Sequence, residues 1–341
     1  MQLILHMRNN SYNTANITSK QTDMKKIFIA ALAIATILVI ALFGTGLYML
    51  TYSLTPSDSR SDMTKAYARL YKEHPDMKQW TDSIRENKLL RDTFIIMPNG
   101  EKHHALYLRN DSAKGRTAII VHGYKDCAPR FLTIARIYHQ QANRNILLPD
   151  LHGHGLSEGD DIQMGWKDRH DIIHWTKVAD KMFADSSYRS SIVLHGISMG
   201  AATVMNISGD ESAPENIDCI VEDCGYSSVW DEFAVQLHDQ FSLPEFPVMH
   251  ISSMLCKMRH GWSFSEASSL RQISKSRFPI LFIHGDADTF VPFNMLHPLY
   301  DAARQPKEKW VVKGARHAEA YKKNPQEYAR RIIEFTNKYE R

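Results

Sequence analysis

From Gly115 onward the chain repeats one grammar: a short apolar run ending in glycine or aspartate, then a stretch with helical spacing. The apolar runs are "RTAIIVHGY", "NRNILLPDLHGHG", "SSIVLHG", "IDCIVEDCG", "RFPILFIHGDAD" and "KEKWVVKGARH". Between and after them, "RFLTIARIYHQQ", residues 168–184, "MGAATVMNIS" and "PQEYARRIIEFTNKY" read as helices. Strands this short and this continuously apolar are buried on both faces, which predicts a mainly parallel sheet covered by helices on each side. Functional residues in such a sheet sit beyond the carboxyl ends of its strands. The preceding stretch, "DTFIIMPNGEKHHALYLRN", reads instead as an antiparallel hairpin, with extended residues 92–97 and 103–109 about a turn at Asn99-Gly100.

The segment "IVLHGISMGAAT" carries the sharpest chemical signal. Ser198 follows a strand directly and opens a helix, the context that a G-x-S-x-G nucleophile elbow requires. A serine on so sharp a turn holds a strained backbone conformation, and a Cβ two residues to either side would crowd the neighbouring strand or helix. Gly196 and Gly200 remove that crowding. The hydroxyl then stands above the strand ends, and the backbone N–H of Met199 points toward a developing oxyanion. A second donor belongs on the loop after "AIIVHGY", where the N–H of Tyr124 is the candidate.

A serine hydroxyl is a poor nucleophile without a base. Among 17 histidines, His317 in "VVKGARHAEAY" lies just past the last strand, on the rim where the serine emerges. An imidazole in this role needs an acid to hold its tautomer and stabilise its charged form. Asp288 in "ILFIHGDADTFVP" lies past the preceding strand, and the order Ser198, Asp288, His317 is the one this topology produces. Asp286 competes for the same role. Its place directly after the strand glycine suits it to tying down the loop through backbone N–H groups, which favours Asp288, a preference that rests in part on the family resemblance given below.

Residues 27–50, "IFIAALAIATILVIALFGTGLYML", form an uncharged run of 24 residues, long enough to cross a bilayer as a helix. Lys25 and Lys26 precede it and no comparable basic cluster follows, which orients the N-terminus to the cytoplasm and the remainder outside. A cleaved signal peptide is the rival, with an apolar region of about 7–15 residues and an A-x-A-like site. "ALA" at 31–33 comes too early for that and "GTG" at 44–46 matches weakly. Met24-Lys25-Lys26 is itself a good beginning for a signal anchor, so translation from Met24 is an alternative to Met1.

A formal net charge of +3 with no arginine- or lysine-rich stripe argues against a nucleic-acid partner. No P-loop and no G-x-G-x-x-G follows the first strand, which argues against nucleotide binding. Cys127, Cys219, Cys224 and Cys256 fit no zinc or redox spacing and read as small buried thiols, although Cys219 and Cys224 bracket a strand end where a disulfide is geometrically conceivable. His152 and His154 in "DLHGHGLSEGD" lack a third ligand at recognisable spacing and read as a loop bracing the site rather than a metal centre. Neither a metal nor an organic cofactor is implied.

Taken together, "VHGY" at 121–124, "DLHGHGLSEG" at 150–159, "GISMG" at 196–200, "HGDADTFVP" at 284–292 and "RH" at 316–317 resemble the α/β-hydrolase superfamily. The likeness covers about residues 85–341 and points most to bacterial, single-pass membrane-anchored members related to the serine-aminopeptidase and lysophospholipase branch. It implies an α/β-hydrolase fold: a mostly parallel, eight-stranded sheet flanked by helices, antiparallel at its first hairpin, with a small helical cap and a preceding transmembrane helix. It also implies Ser198 as nucleophile, His317 as base, Asp288 as its acid, and the N–H groups of Tyr124 and Met199 as the oxyanion hole.

The expected organisation is a cytoplasmic tail at 1–26, a signal anchor at 27–50 that engages the lipid bilayer, a helical connector at 51–88 and the catalytic domain at 89–341. Residues 226–275 are richer in aromatics and methionine than a crossover needs, so a cap is expected there; plain crossover helices with a loop are the alternative. The expected chemistry is cleavage of small carboxylic esters through an acyl-enzyme. Hydrolysis of short peptides is the second reading, with Glu222, Asp231 and Glu232 as candidate anchors for a peptide amine. A third is an inactive cell-surface binding protein that keeps the fold. Phe233, Leu237, Phe246, Met249 and Trp262 line an acyl pocket or pack the cap. The sequence carries no signal for oligomeric state.

Overall fold

A computed structural model describes residues 2–340; Met1 and Arg341, the outer limits of the expected tail and catalytic domain, lie outside the described residues. The strands are β1 (Leu90–Ile96), β2 (Lys102–Leu108), β3 (Arg116–Val121), β4 (Asn145–Pro149), β5 (Ser191–Ile197), β6 (Ile217–Asp223), β7 (Ile280–Gly285) and β8 (Lys307–Val312). They build one eight-stranded sheet in the order β1-β2-β4-β3-β5-β6-β7-β8. β2 pairs antiparallel with both β1 and β4, and the remaining ladders are parallel. This is the α/β-hydrolase fold.

The helices are α1 (Gln2–Leu54), α2 (Met63–Glu73), α3 (Met77–Glu86), α4 (Leu132–Arg136), α5 (Asp168–Met182), α6 (Met199–Ser208), α7 (Val229–Phe241), α8 (Val248–His260), α9 (Ser269–Ile273), α10 (Leu296–Ala302), α11 (Ala320–Lys323) and α12 (Pro325–Tyr339). Side chains alternate between the sheet's two faces. Along β3, Ile119 and Val121 join one core with Trp175 of α5, Met199 of α6 and Leu50 of α1. Ala118 and Ile120 join the other, with Leu70 of α2, Leu132 of α4 and Ile332 of α12. β5 and β6 are buried along their whole length, as strands covered on both faces must be.

Two segments depart from the sequence reading. "RFLTIARIYHQQ", expected as one helix, is a 3-10 turn at Ala128–Phe131, then α4, then a π-helical turn at Ile137–Gln141. The Asn110 side chain donates to the His139 carbonyl at 2.7 Å, and such a competing donor draws a carbonyl out of the regular ladder. The second departure is at the apolar N-terminal helix. From Lys20 to Leu54 it is long and apolar enough to cross a membrane, yet it does not end at residue 50. Gly46, Leu50 and Leu54 are buried against the folded body. Gly46 is required there: a Cβ would come within 2.6 Å of Ile251 on α8.

Candidate active site

The strand–turn–helix at β5 and α6 holds Ser198 at φ 58°, ψ −119°, a region that costs a non-glycine residue about 1–3 kcal/mol. The glycines around it have no room for a side chain. A Cβ on Gly196 would stand 2.1 Å from the Gly200 carbonyl oxygen, and one on Gly200 would stand 2.1 Å from that of Val121. Tight packing of α6 against β3 and β5 therefore fixes the turn, and the Ser198 N–H donates to the Asp223 carbonyl at 2.8 Å.

The three far-separated side chains meet. Ser198 Oγ lies 2.9 Å from His317 Nε2, and His317 Nδ1 lies 2.8 Å from Asp288 Oδ2. The other Asp288 oxygen accepts from the N–H groups of Phe290 at 3.0 Å and Val291 at 3.1 Å. Burial alone would raise the Asp288 carboxyl, but hydrogen bonds from His284 and His317 outweigh it and hold it below the ordinary carboxylate range. An ionised Asp288 leaves His317 Nδ1 as the protonated nitrogen and Nε2 as the acceptor facing the serine hydroxyl. Asp286, the competing acid, turns away and accepts from the Gly314 N–H at 2.6 Å.

Neutral imidazoles fix the loop that carries Tyr124. His122 donates through Nδ1 to the Gly123 carbonyl at 2.8 Å and accepts the Leu151 N–H on Nε2 at 3.0 Å. His154 donates through Nδ1 to the His152 carbonyl and accepts the Lys125 N–H on Nε2 at 3.1 Å. Burial pushes His154 down to about 3 and lowers His122, so both stay uncharged and keep one donor and one acceptor nitrogen. Neither the Tyr124 nor the Met199 N–H donates to a turn or loop carbonyl among the described residues. A Cβ on Gly123 would come 3.4 Å from that of Ser198, so glycine keeps the loop close over the hydroxyl.

Asp150 is the hub beneath this loop: it accepts from the N–H groups of Ala128 and Leu156 and pairs with His104 Nδ1 at 2.7 Å. His152 bridges Glu101 at 2.8 Å and Asp161 at 3.0 Å. Among the described residues three groups bring donor atoms together as metal ligands do, Glu101–His103–His152, His152–Asp160–Asp161 and Cys224–Asp288–His317. His152, read from the sequence as lacking a third ligand, thus has carboxylates beside it, and it already pairs with Glu101 and Asp161 as His317 does with Asp288.

Two cavities flank the serine. An apolar one of about 320 Å³ is bounded by Met49 and Tyr52 of α1, Phe233 and Leu237 of α7, and Met249 of α8. A more polar one of about 530 Å³ runs past Arg69, Asp126, Arg130 and His317. Ser198, Tyr124 and Phe290 border both. Of the five residues expected to line an acyl pocket or pack the cap, Phe233, Leu237 and Met249 face the apolar cavity; Phe246 is exposed and Trp262 is packed in the core. Of the three candidate amine anchors, Glu232 alone reaches that cavity. Glu222 accepts from the Gly225 N–H and Asp231 from Ser227 and Ser228. Glu232 is buried, one oxygen accepting from Gln236 at 3.1 Å and the other without a partner, and burial pushes its carboxyl up to about 8.

Sequence reasoning missed the contribution of α1. The signal was present in the spacing Leu42, Gly46, Met49, Leu50, Ser53 and Leu54, a helical face continuing past the run read as lipid-exposed. It also missed the buried chain Tyr138–His195–Tyr328–Asp223, linked at 3.0, 3.0 and 2.8 Å under the elbow, because its members lie on separate elements. All four cysteines are buried, and no disulfide joins them among the described residues.

The chain belongs to the prolyl oligopeptidase family, whose profile matches residues 151–340. It is 30% identical over 191 residues to the uncharacterized protein YqkD of Bacillus subtilis (strain 168), a match covering 56% of this chain and 61% of YqkD. The chain thus spans less than two thirds of that relative. Its fold is similar to the Pyrococcus furiosus esterase Pf2001, with a TM-score of 0.59 and 21% identity over 75% of this chain and 95% of that one. It is also similar to Est1E from Butyrivibrio proteoclasticus, solved with ferulic acid, with a TM-score of 0.55 and 17% identity over 72% and 98% of the two chains.

Proposed function

We propose that the protein is a serine hydrolase that cleaves carboxylic esters by two-step acyl transfer. Ser198 Oγ attacks the ester carbonyl as His317 Nε2 takes its proton, while Asp288 holds the imidazole and stabilises its charged form. The N–H groups of Tyr124 and Met199 hold the tetrahedral oxyanion. His317 then gives its proton to the departing alcohol, leaving an acyl-serine. Water attacks that acyl group, His317 takes the water's proton and returns it to Ser198 Oγ, and the carboxylic acid leaves. The observation that carries this reading is the unbroken 2.9 and 2.8 Å relay from Ser198 through His317 to Asp288 at the border of two cavities.

In the same proposal, residues 27–50 anchor the chain in a bilayer as a single pass from a cytoplasmic tail at 1–26, as in the membrane-anchored serine-aminopeptidase and lysophospholipase-like branch. The connector at 51–88 and the catalytic domain at 89–341, with its cap at 226–275, stand outside the cytoplasm.

Glu232 favours a second reading, an aminopeptidase-like activity on short peptides. A carboxyl with one free oxygen in the cavity beside the serine is suited to receive a peptide amine, whose positive charge would draw it into the ionised form. Esters come first because alcohols leave more readily than amines. Ser198→Ala is expected to abolish hydrolysis of short p-nitrophenyl esters; unchanged turnover would remove Ser198 as the nucleophile. Cleavage of an aminoacyl p-nitroanilide that is lost in Glu232→Gln, with acetate esters untouched by the wild type, would favour the peptidase.

A further inference from the structure

The cavity beside Ser198 is not enclosed by the hydrolase fold alone. Met49, Tyr52 and Ser53, from the last two turns of α1, form part of its wall opposite α7 and α8. These turns are fixed in place. The Tyr124 hydroxyl donates to the Ser53 carbonyl at 2.7 Å, Ser252 Oγ donates to the Gly46 carbonyl at 3.0 Å, and the Tyr52 hydroxyl donates to the Gln240 side chain at 3.1 Å. The long apolar helix and the apolar cavity are thus one continuous structure.

Length arithmetic says where the bilayer ends. The apolar run from Ile27 to Ala41, before α1 begins to bury a face, rises about 22 Å at 1.5 Å per residue. A hydrocarbon core is about 30 Å thick. The next turns of α1, and what packs on them, must therefore reach the lipid. The partner there is α8, which leaves Met254 and Met258 exposed one turn apart; Phe246, just before the helix, is 72% exposed. Two large apolar residues four apart share one face of α8, and an exposed apolar face beside an anchor helix is matched by a membrane surface.

We propose that the final turns of α1 are part of the substrate pocket and that the substrate is an amphiphilic ester drawn from the bilayer, its acyl chain lying in the α1–α7–α8 cavity and its polar alcohol in the cavity lined by Arg69, Asp126 and Arg130. This inference rests on the serine-hydrolase reading and names its substrate class. Ser198 borders both cavities, so an ester carbonyl at its hydroxyl places one arm in each. Arg130 pairs with Glu73 at 2.7 Å, so the second cavity offers balanced polarity and not a bare positive charge.

The test uses the full chain in phosphatidylcholine nanodiscs and a series of p-nitrophenyl esters from acetate to palmitate. The wild type is expected to prefer decanoate to acetate. Met49→Trp fills the cavity and is expected to lower the decanoate-to-acetate ratio of kcat/KM by roughly tenfold or more, the scale on which apolar pockets sort chain length. Met49→Ala is expected to move the optimum to longer chains. A ratio unmoved in both variants, or a wild type that prefers acetate, overturns the inference and leaves the serine-hydrolase reading standing. A wild type that hydrolyses no ester overturns both.

Discussion

Asp288→Asn isolates the relay with the smallest possible change in shape. One Asp288 oxygen accepts two N–H groups, from Phe290 and Val291, and the other faces His317 Nδ1 at 2.8 Å. An asparagine has two ways to fit. With its NH2 toward the two backbone amides, donors meet donors at about 3 Å and two hydrogen bonds are lost, at a cost of roughly 1–3 kcal/mol for each buried group left unsatisfied. With its oxygen on those amides, the fold is kept but the NH2 points at His317. That second arrangement wins, and it forces His317 Nδ1 to accept. The ring proton then sits on Nε2, where it faces Ser198 Oγ as a donor, so the base is lost without any movement of the backbone. The wrong tautomer in this type of relay costs about 10⁴ in kcat, which is ~5.5 kcal/mol at the barrier. The assay is steady-state hydrolysis of p-nitrophenyl butyrate, alongside thermal unfolding to show that the variant is folded. Asp286→Asn is the control, since asparagine still accepts the Gly314 N–H there, and its kcat is expected to stay within about threefold, as a preserved hydrogen bond outside the relay allows. A loss of less than about tenfold in Asp288→Asn, or an equal loss in both variants, would refute the reasoning.

Further outcomes follow from packing and protonation. Gly200→Ala sets a methyl against the Val121 carbonyl oxygen, which backbone cannot yield cheaply; the expected loss is about 3 kcal/mol, or roughly 6–12 °C in Tm by calorimetry, and an unchanged Tm contradicts the packing argument. Stability is expected to fall as pH rises from about 6.5 to about 9. Burial pushes Asp168 up to about 7 and Glu222 up to about 8; for His152 burial acts downward, but its hydrogen bond to Asp161 and the nearby charge of Glu101 push it up to about 9. Between the ordinary and the shifted values the folded chain holds more protons than the unfolded chain, so the contribution of His152 is complete below about 6.5 and lost through about 9. Denaturant unfolding across that range checks the sign, and a midpoint that rises with pH would be the contrary result. His152→Gln should flatten the upper part of the curve.

The alternation of short apolar runs and helical stretches was enough to read the parallel sheet, because burial on both faces leaves so narrow a choice of residues. Steric exclusion made the elbow legible: Gly196 and Gly200 have no substitute where carbonyl oxygens lie 2.1 Å from a would-be Cβ, and α6 begins at Met199 as the spacing predicts. That Ser198, Asp288 and His317 come together was readable for a different reason, each standing just past a recognisable strand end. The irregular path from Ala128 to Gln141 was not readable, since its bend depends on Asn110, a residue distant in sequence. Nor were the cavity walls. Trp262 and Phe246 look alike as apolar residues in one segment, and only tertiary packing sends one to the core and the other to the surface. The inward turn of α1 escaped because Gly46 and Leu50 sit inside a run whose hydrophobicity already had an explanation in the bilayer.

The most direct test of the central claim is to treat the folded full-length chain with a fluorophosphonate and find the modified residue by peptide mass spectrometry. One adduct is expected, on the oxygen of Ser198, and it is expected to be lost when His317→Gln removes the base. A folded chain that takes no label, or takes it at another residue while Ser198 stays free, would contradict that claim.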